Sequence, residues 1–186
     1  MDKQTWRGRC VLTTMLVALL LAVTPASAAP KVQPQPVVTD GVSVQSTHYQ
    51  LIAVHSGKCL DVENFSPNDG TRVQQWTCLP GHGNQLWRLE WAGTGYQLVA
   101  VHSGKCLDVE NFSPNDGARV QQWTCLPGHG NQLWQFVWAG NGYQLVAVHS
   151  GKCLDVENFS PNDGTRLQQW TCLPGHGNQL WQLNPV

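Results

Sequence analysis

The same set of side chains recurs three times along this sequence: one carboxylate, one tryptophan and three amides. In the first copy they are Asp61, Gln74, Trp76, Asn84 and Gln85. In the second they are Asp108, Gln121, Trp123, Asn131 and Gln132, and in the third Asp155, Gln168, Trp170, Asn178 and Gln179. These residue types suit a polyhydroxylated ring such as a pyranose. An aromatic face covers the ring's patch of C–H groups, a carboxylate accepts from adjacent hydroxyls, and amides both donate and accept. Along the run Val73-Gln74-Gln75-Trp76, strand alternation puts Gln74 and Trp76 on one face and Val73 and Gln75 on the other.

Two other chemistries deserve weighing. Asp61, Glu63 and Asp69 are the acids of the first copy's candidate region, and paired carboxylates are what a glycosidase uses. An active site, however, gathers unlike residues from distant segments, whereas threefold repetition of a short local set suits binding. His55-x3-Cys59 and Cys78-x3-His82 could place two His and two Cys around zinc. That reading needs free thiolates, and the amino terminus argues against them. Asn64-Phe65-Ser66 matches a glycosylation sequon, but the following Pro67 disfavours its use. The oxygens of this segment depart from a calcium-loop spacing, and it reads as a turn. No metal and no cofactor is expected.

The set must be positioned by the repeat that carries it. Tyr49, Tyr96 and Tyr143 are each 47 residues apart. Residues 49–95 and 96–142 differ at six positions, and the third copy, from 143, differs from the second at three up to Leu183. Each copy shows four short β-like runs, in the first Tyr49–His55, Lys58–Glu63, Arg72–Cys78 and Gln85–Trp91. Between them stand Ser56-Gly57, the segment from Asn64 to Gly70, and Pro80-Gly81-His82-Gly83, which is turn chemistry. Three copies of four strands make twelve. A propeller needs at least about four blades, so three copies would leave it open, whereas a β-trefoil closes with three. The expectation is an all-β protein with pseudo-threefold symmetry.

Only 12% of the 186 residues are charged, while Gly, Pro and Trp number 18, 11 and 9, which excludes a long helix or coiled coil. The net charge of −1 gives no electrostatic footprint for nucleic acid. Residues 1–28 read as a signal peptide: Lys3, Arg7 and Arg9, an apolar run from Val11 to Val23, then Ala26-Ser27-Ala28. The run is short for a membrane span, so the expected mature chain is secreted and begins near Ala29. Residues 29–48, with Pro30, Pro34 and Pro36, read as a linker, and 49–186 as the domain, with repeats 49–95, 96–142 and 143–186. Cleavage removes Cys10 and leaves six cysteines, an even number that in an exported chain points to disulfides rather than zinc. Near-identical repeats should pair alike, either within each copy or between copies in cyclic order.

Three motifs then carry a resemblance. Gly57-Lys58-Cys59-Leu60-Asp61-Val62, Val73-Gln74-Gln75-Trp76-Thr77-Cys78 and Asn84-Gln85-Leu86-Trp87 recur in register, the last with Gln-x-Trp repeated at Gln132-Leu133-Trp134 and Gln179-Leu180-Trp181. Over residues 49–183 the chain resembles the ricin-B-type lectins, which are β-trefoils. The resemblance implies pairing within each copy: Cys59–Cys78, Cys106–Cys125 and Cys153–Cys172. It also implies that Asp61, Asp108 and Asp155 hold vicinal hydroxyls and that Trp76, Trp123 and Trp170 stack on the ring. Gln74, Gln121, Gln168, Asn84, Asn131 and Asn178 would contact hydroxyls, while Gln85, Gln132 and Gln179 would orient the carboxylate. Trp87, Trp134 and Trp181 are expected in the core, and Trp91 and Trp138 as packing residues. The implied function is multivalent binding, without catalysis, of galactosides, GalNAc or a xylan-like polysaccharide. A protein-binding or inhibitor-type trefoil is the main alternative.

Overall fold

The computed structural model describes residues 47–186. The signal sequence, Cys10 and nearly all of the expected linker lie outside the described residues. Twelve strands follow in chain order. The first repeat holds β1 (Tyr49–Ala53), β2 (Cys59–Val62), β3 (Thr71–Trp76) and β4 (Trp87–Trp91). The second holds β5 (Tyr96–Ala100), β6 (Cys106–Val109), β7 (Val120–Trp123) and β8 (Trp134–Trp138). The third holds β9 (Tyr143–Ala147), β10 (Cys153–Val156), β11 (Thr165–Trp170) and β12 (Trp181–Pro185).

All four strands of the first repeat are shorter than their β-like runs suggest. β1 stops at Ala53 because the chain turns back there: Gly57, at φ +68°, donates its N–H to the Ala53 carbonyl at 2.8 Å. Gln85 belongs to a 3-10 turn, Gly83–Gln85, which delivers the chain to β4. Matching turns occur at Gly130–Gln132 and Gly177–Gln179, and another set follows the second strand of each repeat, at Glu63–Phe65, Glu110–Phe112 and Glu157–Phe159.

The outer strands of each repeat close a six-stranded barrel. Long ladders join β4 to β5, β8 to β9 and β12 to β1, and shorter contacts join β1 to β4, β5 to β8 and β9 to β12. The inner strands form three hairpins, β2–β3, β6–β7 and β10–β11. Their second strands meet around the pseudo-threefold axis, where Arg72 lies opposite Gln121, Arg166 opposite Gln74 and Arg119 opposite Gln168. This is a β-trefoil. The ladder between β12 and β1 joins the two ends of the folded region and leaves the barrel without an edge.

One core fills the barrel, drawn from all three repeats by period-two alternation. Leu51 and Ala53 enter from β1, Leu98 and Ala100 from β5, and Leu145 and Ala147 from β9. Trp87, Trp134 and Trp181 have no exposed surface. Each indole N–H donates to a hairpin carbonyl, Leu60, Leu107 or Leu154, at 3.1–3.2 Å, so even the polar atom of the core tryptophan is satisfied. Replacing Trp134 by Ala is expected to cost about 3–5 kcal/mol, read from the denaturant midpoint. An unchanged midpoint would contradict the core assignment.

Trp91 and Trp138 depart from expectation. They are 54% and 61% exposed, with only an edge resting on Tyr96 and Tyr143 at ring distances of 5.0 Å. Both sit at the turn end of a barrel hairpin, opposite those tyrosines and beyond the core layer.

The cysteines pair within each copy, Cys59–Cys78, Cys106–Cys125 and Cys153–Cys172, with Cα atoms 5.0 Å apart. Each bridge ties the start of a hairpin's first strand to the second residue past the end of its second.

Candidate functional site

The hairpin register builds the site. Asp61 on β2 lies directly opposite Gln74 on β3, and Cys59 lies opposite Trp76, so Asp61, Gln74 and Trp76 share a face. The turn Gly83–Gln85 brings Asn84 and Gln85 against β2. The structure thus gathers all five expected residues of each copy around one carboxylate.

That carboxylate is held almost completely by amides. Gln74 Nε2 donates to Asp61 Oδ1 at 3.0 Å, Asn84 Nδ2 to Oδ2 at 2.8 Å and Gln85 Nε2 to Oδ2 at 3.0 Å. Asp108 receives the same bonds from Gln121, Asn131 and Gln132, and Asp155 from Gln168, Asn178 and Gln179, all between 2.8 and 3.0 Å. A carboxylate has about four acceptor positions. Three are filled, and the open one is on Oδ1. Burial raises the carboxyl pKa of Asp61, Asp108 and Asp155 above the ordinary value of 3.8, although the three amide bonds pull the other way.

The amides divide by role. Gln85 has no exposed surface, and every polar hydrogen-bonding atom of its side chain is engaged: Oε1 accepts from the Leu79 N–H at 2.8 Å, and Nε2 also donates to the Thr77 carbonyl. Full burial limits Gln85, Gln132 and Gln179 to orienting the carboxylate. Asn84 differs. Its Nδ2 is fixed by two acceptors, Asp61 Oδ2 and the Val62 carbonyl, which settles the amide orientation and leaves Oδ1 buried without a partner. Asn131 and Asn178 carry the same unpartnered oxygen. Trp76, Trp123 and Trp170 are 38–39% exposed, each an indole face open to solvent beside a sunken polar floor.

Each site also borrows from a neighbouring repeat, a feature the sequence analysis missed. The loop ending in Asp163-Gly164 crosses to the first site, where a Cβ on Gly164 would stand 3.7 Å from the Trp76 ring and 3.9 Å from Gln74 Oε1. The loop is fastened there by Asp163, which accepts from the Thr77 N–H and hydroxyl and pairs with Lys58 at 2.8 Å. Gln75, on the opposite face of β3, donates to the Ser160 and Asn162 carbonyls. Asp69 clasps Lys105 and Thr124, and Asp116 clasps Lys152 and Thr171 in the same way, so three loops close the ring of repeats. Of the oxygens that hinted at calcium, the Asp69 carboxylate is thus engaged between repeats, while the Ser66 hydroxyl bonds within its own loop. The repeated Asp-Gly pair was visible in the sequence, but nothing in a linear repeat says which copy it reaches.

Residues 47–184 match the family model described as the ricin-type β-trefoil lectin domain. The chain belongs to this family. Among solved structures, this ricin-type trefoil is similar to ThreeFoil, a designed threefold-symmetric protein, with 52% identity and a TM-score of 0.71 over 75% of this chain and 99% of that one. It is also similar to part of an exo-β-1,3-galactanase from Clostridium thermocellum, with 39% identity and a TM-score of 0.71 over 76% of this chain and 30% of the enzyme's. A ricin B-like lectin from Macrolepiota procera, solved with lactose, shares the fold at 23% identity and a TM-score of 0.63, over 77% of this chain and 98% of that one. A ricin-type lectin fold supports a carbohydrate-binding role for the chain.

Proposed function

We propose that the protein is a secreted, multivalent lectin that binds galactose- or GalNAc-type, or xylan-like, glycans through three equivalent sites and performs no catalysis. One observation carries this reading. In all three copies a carboxylate held by three amides keeps one open acceptor position beside an unpartnered Asn Oδ1, next to a partly exposed indole. A buried acceptor without a donor costs about 1–3 kcal/mol, and a ligand hydroxyl offsets that cost. The indole then covers the C–H face of the same ring. The names of the similar proteins, a galactanase and a lectin solved with lactose, favour galactosides.

The other acids are occupied in ways that suit structure rather than acid–base chemistry. Glu63 pairs with Arg72, and Asp69 with Lys105. A single shallow site binds at about mM affinity, near −4 kcal/mol, and three sites on a dense glycan surface raise avidity by roughly 10²–10⁴.

The test is a glycan array of galactosides, GalNAc and xylan fragments probed with the oxidised mature chain. Signal on one of these classes supports the reading; silence from folded protein overturns it. Secretion is checked by sequencing the amino terminus of exported protein, with cleavage expected after Ala28.

Binding should also depend on pH. The ionised carboxylate accepts hydroxyl hydrogens, and its protonation removes an acceptor position. Because burial raises these three carboxyl groups, affinity is complete at neutral pH and falls on acidification through a midpoint above the ordinary aspartate value. The clasp carboxylates Asp69, Asp116 and Asp163 are held below that value. For Asp116 the Lys152 hydrogen bond is the largest cause; for the other two, lysine and threonine bonds outweigh burial. The stability these lowered groups contribute is present above the unfolded pKa and disappears only as pH falls through the folded one. Sugar is therefore released before the clasps are protonated. A titration from pH 7 to about 3 with flat affinity would count against a carboxylate contact.

A further inference from the structure

Beyond the Asp–Gln floor, the face that carries each site continues into a third row. On the first hairpin the rows run Cys59–Trp76, then Asp61–Gln74, then Glu63–Arg72, with successive rows separated by two residues, about 6.6–6.8 Å. The middle row is sunken, with Asp61 and Gln74 only 3% and 4% exposed. The rows on either side stand up from it: Trp76 at 39%, and the Arg72 and Glu63 side chains at 40% and 33%. A pyranose over the floor, stacked on Trp76, therefore has a raised charged pair at its other end. The third copy repeats the pair as Arg166–Glu157, bonded through both Nε and Nη2 at 2.6 Å. The second copy departs: Arg119 lies close enough to Glu157 of the third repeat to help lower that carboxyl, and its bond to Glu110 is between backbones, the Glu110 N–H to the Arg119 carbonyl at 3.0 Å.

We infer that Glu63–Arg72 and Glu157–Arg166 form a second subsite beside the first and third floors, which takes the next sugar residue of a neutral glycan. This rests on the lectin reading above and extends it from a monosaccharide to at least a disaccharide. Three observations favour it. The row spacing is on the scale of one sugar unit, so a residue linked to the sugar on the floor falls over the pair. The pair is amphoteric: glutamate accepts and arginine donates, as hydroxyls that both give and take hydrogen bonds require. It is also accessible, with the arginine and glutamate side chains 40% and 33% exposed in the first copy and 28% each in the third. Equal numbers of opposite charges point to neutral sugars rather than an acidic substituent.

Calorimetric titration of the oxidised chain tests this with galactose against lactose and β-1,3-galactobiose, and with xylose against xylobiose. The expected result is a disaccharide bound about tenfold more tightly than its monosaccharide, the scale of one charge-assisted hydrogen bond. In the double variant Arg72→Ala, Arg166→Ala that ratio should fall to about one. The wild-type ratio needs no variant, so it decides the matter even if the double variant folds poorly. Equal affinities for a monosaccharide and its disaccharides in the wild type would overturn the subsite and leave the lectin reading standing. A ratio unchanged in a folded variant would remove the arginines from it. No affinity for any of these sugars or for GalNAc would overturn both.

Discussion

Replacing Asp61, Asp108 and Asp155 together is expected to abolish glycan binding. The carboxylate is the one group of each site that touches every other polar member: its loss removes an acceptor from Gln74, Asn84 and Gln85 at once and leaves one buried N–H of each amide unsatisfied, although Asn84 and Gln85 keep their bonds to the Val62 and Thr77 carbonyls. An unsatisfied buried donor costs about 1–3 kcal/mol, so Asp→Ala should also destabilise the fold by at least about 2 kcal/mol per site. Stability and binding separate in two ways. The Asp61→Asn, Asp108→Asn, Asp155→Asn variant keeps side-chain shape, so it should lose binding with a smaller loss of stability. The single change Asp61→Ala disables one site and leaves two, so the number of sugars bound per chain should fall from three to two while the remaining affinity stays constant. A single variant that still binds three would place the sugar elsewhere.

Reduction of the three disulfides is the second large effect. Each bridge closes a loop of about 20 residues, worth roughly 3 kcal/mol in the chain-entropy model. The loops do not overlap in sequence, so each acts on a separate stretch of the unfolded chain. Their combined contribution is comparable with the whole stability of an ordinary domain, about 5–15 kcal/mol. The reduced protein is expected to be largely unfolded or to melt far below the oxidised form. Melting curves recorded with and without a thiol reductant check this. Superimposed curves would mean that the core and the inter-repeat clasps suffice without the bridges.

Much of this was legible in the sequence because the repeats restate each rule three times. Period-two alternation placed Gln74 and Trp76 on one face, and the register confirms it. The Gln-x-Trp motif separated Trp87, buried in the barrel, from Trp76, open to solvent, although composition treats the two alike. Trp91 was misjudged because its environment depends on where the barrel ends, and strand periodicity carries no information about that. The clasp of Asp163 on Lys58 and Thr77 was invisible for a related reason. It joins the third copy to the first, and identical copies give no hint of which neighbour a loop reaches. The unpartnered Asn84 Oδ1 needed the three-dimensional hydrogen-bond network, since it is defined by what the rest of the amide is already doing.

The central claim is that three equivalent sugar sites lie under Trp76, Trp123 and Trp170. Its most direct test is a titration of the oxidised chain with a binding glycan, followed through the indole N–H signals in NMR. The account predicts that the signals of Trp76, Trp123 and Trp170 shift together and saturate at three sugars per chain. Trp87, Trp134 and Trp181, whose N–H groups are locked to hairpin carbonyls, should stay in place. Shifts confined to Trp91 and Trp138, or saturation with all three site indoles unmoved, would contradict it.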